Sequence, residues 1–188
     1  MFYNPASEAA LKISMSRAFT KEDDSLEAPI IPPRPALPPG SPNYVTPTGL
    51  EQLRTELAEL EAERTVAEAN RENEADRTRQ LTVYNGRITA LNDRIASAKV
   101  IDPRGQPAKE VRFGATVTLV TRSGGKPGVE RRFTIVGVDE ASVAEGKVAF
   151  VAPIARAVQG AKLGKTVTLR LGPKEEVVEV TNITYEVA

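Results

Sequence analysis

Two runs of apolar residues, each spaced alternately three and four apart, are separated by a stretch almost without large apolar side chains. No other feature constrains this chain as much. Leu50, Leu53, Leu57 and Leu60 form the first run, with Glu51, Arg54, Glu56, Glu59 and Glu61 filling the surface between them. Leu81, Tyr84, Ile88, Leu91, Ile95 and Ala98 form the second, with Arg87, Asp93 and Arg94 between. Such spacing puts one narrow apolar stripe on a helix and leaves its other faces wet, so each stripe needs a partner. One long helix in a dimeric coiled coil would provide one. Against it, residues 61–80 interrupt the seam at its middle, and Asn70-Arg71-Glu72-Asn73 is the weakest helix-forming segment there. The pattern predicts an antiparallel coiled-coil hairpin over residues 43–102, with its midpoint near Glu74 and Ala75. Arms of ~25 residues would project ~37 Å.

Thr46 before Pro47 offers a capping hydroxyl followed by proline in the first turn, a helix start. Upstream, residues 1–42 contain Pro5, Pro29, Pro32, Pro33, Pro35, Pro38, Pro39 and Pro42 and a mixed-charge stretch from Lys21 to Glu27. This composition predicts a disordered arm with polyproline character from about residue 29. A linker is its ordinary role, and a docking ligand the alternative. Met15-Ser16-Arg17-Ala18-Phe19 reads as a natural start, with residues 1–14 then coming from an upstream start codon.

The helical pattern ends at Asp102-Pro103-Arg104-Gly105, and strand-forming residues take over. Val111-Arg112-Phe113 and Ala115–Val120 read as strand, Ser123–Gly128 as a turn, and Arg132–Val136 as the returning strand. Val148–Val151 reads as a further strand, Ile154–Val158 as a short helix, and Thr166–Leu171 and Val177–Val187 as two closing strands. The fold class is α+β: a helical hairpin over 43–102, then an antiparallel β-rich domain with one short helix over 103–188.

Composition narrows the chemistry. The chain has no Cys and no His, which removes disulfides, thiol nucleophiles, imidazole acid/base catalysis and the usual zinc ligands. Lys and Arg number 25 against 25 for Asp and Glu, so no global charge points to a nucleic-acid coat protein. There is no phosphate-cradling glycine motif, and Gly124-Gly125 is hairpin-turn chemistry. No apolar run approaches the ~20 residues that span a bilayer, which points to a cytoplasmic protein without a membrane partner. A stand-alone metabolic enzyme is the poorest of the available readings.

Five phrases stand in one order: Tyr44-Val45-Thr46-Pro47-Thr48-Gly49-Leu50-Glu51-Gln52-Leu53, Ala98-Lys99-Val100-Ile101-Asp102, Phe113-Gly114-Ala115-Thr116-Val117-Thr118-Leu119, Ile135-Val136-Gly137-Val138-Asp139-Glu140 and Ala152-Pro153-Ile154-Ala155-Arg156-Ala157. Together they resemble the bacterial GreA and GreB transcript-cleavage factors. The resemblance spans about residues 43–188 and implies an FK506-binding-protein-like fold for the β-rich domain, used for docking and not for prolyl isomerisation. It implies a monomer whose partner is bacterial RNA polymerase, with the nascent RNA 3' end reached indirectly. Pro153, Ile154 and Arg156 would then lie at the surface that grips the rim of the polymerase secondary channel. Equally, Pro153 starts a helix and Ile154 fills the core; the two roles are compatible.

The resemblance also implies that the hairpin tip lends carboxylates to a Mg²⁺ ion of the polymerase active site, the factor having no cofactor of its own. Glu72, Glu74 and Asp76 are the candidate acting residues, Glu72 and Glu74 the candidate metal ligands. The family tip carries Asp, two residues, then Glu-Asn. Here Glu72-Asn73 matches the pair, but Ala69 stands where the Asp belongs and Glu68 is one position out of register. The hairpin is also about a dozen residues shorter than in those factors, ~9 Å less reach per arm if all of the loss is helical. Three functions follow: a factor stimulating the polymerase's own RNA cleavage, a channel regulator or inhibitor without cleavage, and an interaction hairpin with some other partner. Acidic residues at an exposed turn also serve simply as soluble surface.

Overall fold

The computed structural model describes residues 29–185. The proposed start at Met15 and most of the expected disordered arm lie outside that range, as do the last residues of the expected final strand.

A short strand, β1 (Asn43–Val45), leads through Thr46 into helix α1 (Pro47–Ala69). Thr46 is extended, with φ −78° and ψ 165°, and its Oγ1 accepts from Gly49 N at 2.9 Å, satisfying an otherwise orphaned first-turn amide. Helix α2 (Glu74–Ala96) follows after four residues, and strand β2 (Ala98–Val100) returns beside β1 in parallel, with Asn43 opposite Ala98 and Val45 opposite Val100. The helices pack through Leu53, Leu60, Ile88 and Leu91, all buried, with Leu50, Leu57, Tyr84 and Ile95 partly buried around them. Leu81, expected in the seam, lies outside this cluster. The turn lies at residues 70–73, slightly before the expected midpoint, because Asn70 and Asn73 both favour leaving the helix.

Strands β3 (Thr116–Ser123), β4 (Glu130–Val136), β5 (Lys147–Ala149), β6 (Thr166–Leu171) and β7 (Lys174–Thr184) form one sheet in the order β5-β4-β3-β7-β6. β5 pairs with β4 in parallel, so the sheet is mixed and the expected all-antiparallel arrangement is corrected. The physical reason is the loop after β4, which carries the chain back to the level of Thr134, so that β5 then runs in the same direction as β4. Residues 111–113, expected as strand, form none. Val111 instead bonds across the chain, its N donating to Ala161 O and its O accepting from Gly160 N, both at 2.8 Å, while Gly114 turns the backbone with φ 84°. Helix α3 (Pro153–Val158) buries Ala155 and Val158 against one face of the sheet, where Val117, Leu119, Ile135, Leu169, Val178 and Val180 complete the core.

Residues 29–42 depart from the disordered arm expected there. Ile31 sits so close to Gly86 of α2 that a Cβ on the glycine would come within 2.3 Å of Ile31 Cδ1. Arg34 bonds to Glu56 and Asp139, and Arg94 donates to the Pro35 carbonyl. Among the described residues no helix is long and apolar enough to cross a membrane.

Candidate functional site

The end of the helix pair remote from the sheet is a four-residue loop organised by its two asparagines. Asn70 closes α1 in an extended conformation, and its Oδ1 accepts from Glu72 N at 3.0 Å. Asn73 caps α2, its Oδ1 accepting from Ala75 N and Asp76 N at 3.1 Å each. Glu74 and Asp76 then fall in the first turn of α2, where the helix dipole favours negative charge.

The three predicted carboxylates are close in sequence but differ in engagement. Asp76 accepts from the Asn73 side-chain amide at 2.5 Å. Glu74 lies 3.7 Å from Arg77, a loose and largely exposed ion pair. Glu72, on the loop itself, is exposed, and among the described residues its carboxylate has no hydrogen bond or ion pair. Ala69 occupies the last position of α1, so no side-chain oxygen comes from there. Among the described residues, no three acidic side chains are gathered where they could hold a metal ion. Glu72 and Glu74 therefore form no closed chelating set; they are hard oxygen donors suited to sharing an ion with a partner, since Mg²⁺ accepts one or two carboxylates and keeps waters. Behind the tip a shallow groove of about 370 Å³ opens between the helices, lined by Ala62, Val66, Ala67, Asn70, Gln80 and Tyr84.

The second predicted surface lies on α3. Pro153 is exposed in the first turn and Arg156 is exposed beyond it, whereas Ile154 is half-buried and packs on the sheet core. Only Pro153 and Arg156 are freely presented.

A third cluster, which the pattern reading missed, joins the two halves. Gly137-Val138-Asp139-Glu140 follows β4 and meets the base of the helices. Glu140, 7 % exposed, accepts from Thr46 Oγ1 at 2.7 Å, so one threonine both caps α1 and holds the sheet domain. Gly137 lies beneath the Tyr44 carbonyl, where a Cβ would come within 2.7 Å. Asp139 receives Arg34 at 2.9 Å and lies 3.4 Å from Arg94 Nε. Burial lowers the tendency of Arg34 to hold its proton, but bonds to Glu56 and Asp139 outweigh it and the net shift is upward. The rings of Tyr44, Phe113 and Phe150 complete the joint, their centroids 5.5–5.9 Å apart. Arg34 had one sequence signal: it is the only charged residue between Glu27 and Glu51.

The family model described as Transcription elongation factor, GreA/GreB, C-term matches residues 106–185. The chain is 38% identical over 156 residues to transcription elongation factor GreA of Alkalilimnicola ehrlichii, the match covering 75% of this chain and 96% of that protein. This chain belongs to the GreA/GreB family. It is likewise similar to GreA of Thermodesulfovibrio yellowstonii, 34% identical with 76% and 96% covered, and to GreB of Neisseria meningitidis, 32% identical with 76% and 94% covered. Among solved structures, GreA/GreB from Nitrosomonas europaea is 18% identical, with 77% of this chain and 99% of that chain covered and a TM-score of 0.37. This Gre factor is thus a transcription elongation factor of mixed helix and sheet architecture, in which the five motif phrases fall on β1 and α1, on β2, on the entry to β3, on the end of β4 with its loop, and on α3.

Proposed function

We propose that this Gre factor docks on bacterial RNA polymerase through its FK506-binding-protein-like sheet domain and inserts the helix pair, as an antiparallel coiled coil, into the secondary channel. There it stimulates the polymerase's own cleavage of backtracked RNA. The factor performs no complete reaction alone, works as a cytoplasmic monomer and reaches the RNA 3' end only through the polymerase. The observation that carries this reading is Glu72: an exposed carboxylate without a hydrogen-bond or ion-pair partner among the described residues, at the end of helices 23 residues long, or about 35 Å.

Glu72, supported by Glu74, would complete the shell of a Mg²⁺ ion in the polymerase active site, and Asp76 would hold the loop through Asn73. That ion, when bound, lowers the pKa of coordinated water and stabilises the phosphodiester oxygens. Pro153 and Arg156 would meet the channel rim, with Ile154 holding α3 on the core so that both face outward.

A second reading, a channel regulator without cleavage, is favoured by the engagement of Asp76 with Asn73 and Glu74 with Arg77, and by Ala69 in place of an acid. Backtracked polymerase complexes with labelled RNA and Mg²⁺ separate the two. Transcript shortening that disappears in Glu72→Ala/Glu74→Ala/Asp76→Ala while polymerase binding persists supports the first reading. Binding without shortening by the parent protein supports the second, and absence of binding defeats both.

A further inference from the structure

We infer that the proline-rich segment before β1 is a brace that fixes the angle between the helix pair and the sheet domain, with Arg34 as its positioning residue. One guanidinium spans two elements. Its Nη1 donates to Glu56 Oε1 of α1 at 2.8 Å, while Nε and Nη2 both reach Asp139 Oδ1, in the loop after β4, at 3.2 and 2.9 Å. The side chains of Arg34 and Asp139 are only 18% and 8% exposed, so water screens the pair weakly. Arg94 of α2 completes the tie: it lies 3.4 Å from the other oxygen of Asp139 and donates to the carbonyl of Pro35. Both helices and the sheet domain therefore meet on five residues of arm.

The arm is matched in pitch to the helix it crosses. Ile31 rests at Gly86 and Pro35 at Arg94, four arm residues against eight helix residues. An extended proline-rich strand rises ~3.1 Å per residue and an α-helix ~1.5 Å, so both steps come to ~12 Å. Pro32, Pro33 and Pro35 hold that extended form before docking, which lowers the entropy lost on contact. A planar fork is needed because two carboxylates must be held in different directions, which a single ammonium does poorly. The phrases that carry the family resemblance begin at Tyr44, so the brace is not among them. Its role stands apart from any reading of the tip carboxylates.

The absence of cysteine gives a direct test. Nitroxide labels on Arg71→Cys near the tip and Lys126→Cys in the sheet domain report the inter-domain distance by double electron–electron resonance. One narrow distribution is expected with Arg34 present. Arg34→Ala, and separately a chain beginning at residue 43, should raise the population outside that distance by about tenfold, the scale expected for losing charge-assisted hydrogen bonds. Arg34→Lys should fall between. The brace is overturned if both changes leave the parent distribution intact, or if Arg34→Ala lowers helix content by far-ultraviolet circular dichroism, which would make Arg34 a folding residue instead.

Discussion

The sheet domain and the helix pair solve opposite problems with the same side chains. In the sheet domain, Val111, Val117, Leu119, Val158, Leu169, Val178 and Val180 are sealed from water by α3 on one side and neighbouring strands on the other. In the helix pair the buried seam is one residue wide, running from Val45 through Leu53, Leu91, Ile88 and Leu60, and beyond Leu60 only Ala67 of α1 is buried. Cohesion thus falls steadily from the base of the helices to the tip. A sheet covered by a helix gains a thick core; two helices meeting along one seam cannot have one. The helix pair is held at its base instead, by Thr46, Glu140, Asp139 and the arm.

That contrast can be broken by mutation. Leu119→Ala, at a fully buried site in the sheet core, is expected to destabilise by about 3–5 kcal/mol, with loss of the cooperative unfolding transition at physiological temperature. Leu60→Ala should cost about 2–3 kcal/mol, confined largely to the helices. Hydrogen exchange separates the two: amides of α1 and α2 should exchange faster while those of β3 and β7 keep their protection. Loss of protection throughout the chain would show that the two regions unfold as one.

Thr46→Val tests the root. It removes the helix cap and leaves buried Glu140 without its hydroxyl donor, an expected cost of about 1–2 kcal/mol by denaturant unfolding, which Thr46→Ser should largely restore. Gly86→Ala works in the opposite sense. It should gain up to about 1 kcal/mol of helix stability, less the cost of shifting Ile31, whose Cδ1 the new methyl would meet at 2.3 Å and whose Cγ1 at 3.2 Å. A net loss of stability would mean that Ile31 cannot shift.

The smallest effect lies at Asp102, where the chain leaves the helices. The Arg104 guanidinium, bonded to this exposed carboxylate, holds its pKa below the ordinary aspartate value. The pair's contribution is therefore present above the ordinary aspartate range and lost as pH falls through the lowered value. Carboxyl chemical shifts should show the Asp102 midpoint rising in Arg104→Ala, and an unmoved midpoint would remove the pairing from solution.

Local periodicity made much of this architecture legible. The spacing of Leu53, Leu60, Ile88 and Leu91 marked the buried seam, Thr46-Pro47 the helix start, and Thr166–Leu171 a strand with the bounds observed. Local chemistry failed where distant partners decide. Val111-Arg112-Phe113 has strand-forming side chains, yet its backbone is claimed by Gly160 and Ala161. Lys147–Ala149 gives no sign that its neighbour runs parallel. The acidic tip residues were legible as a cluster, but not the bond from Asn73 that engages Asp76, nor that the Glu72 carboxylate lacks a partner among the described residues. Arg34 was obscured by the prolines around it, because nothing within the arm tells which carboxylates it will meet.

The parallel pairing of Asn43–Val45 with Ala98–Val100 brings the two ends of the helical segment side by side, about 4.8 Å apart. Everything between them leaves the body of the protein and returns to nearly the same point. Residues 43–100 are in this respect a cassette with adjoining terminals, so helices of another length could be exchanged between β1 and β2 without rerouting the sheet. Reach can change in evolution, or by engineering, while the seat remains the same.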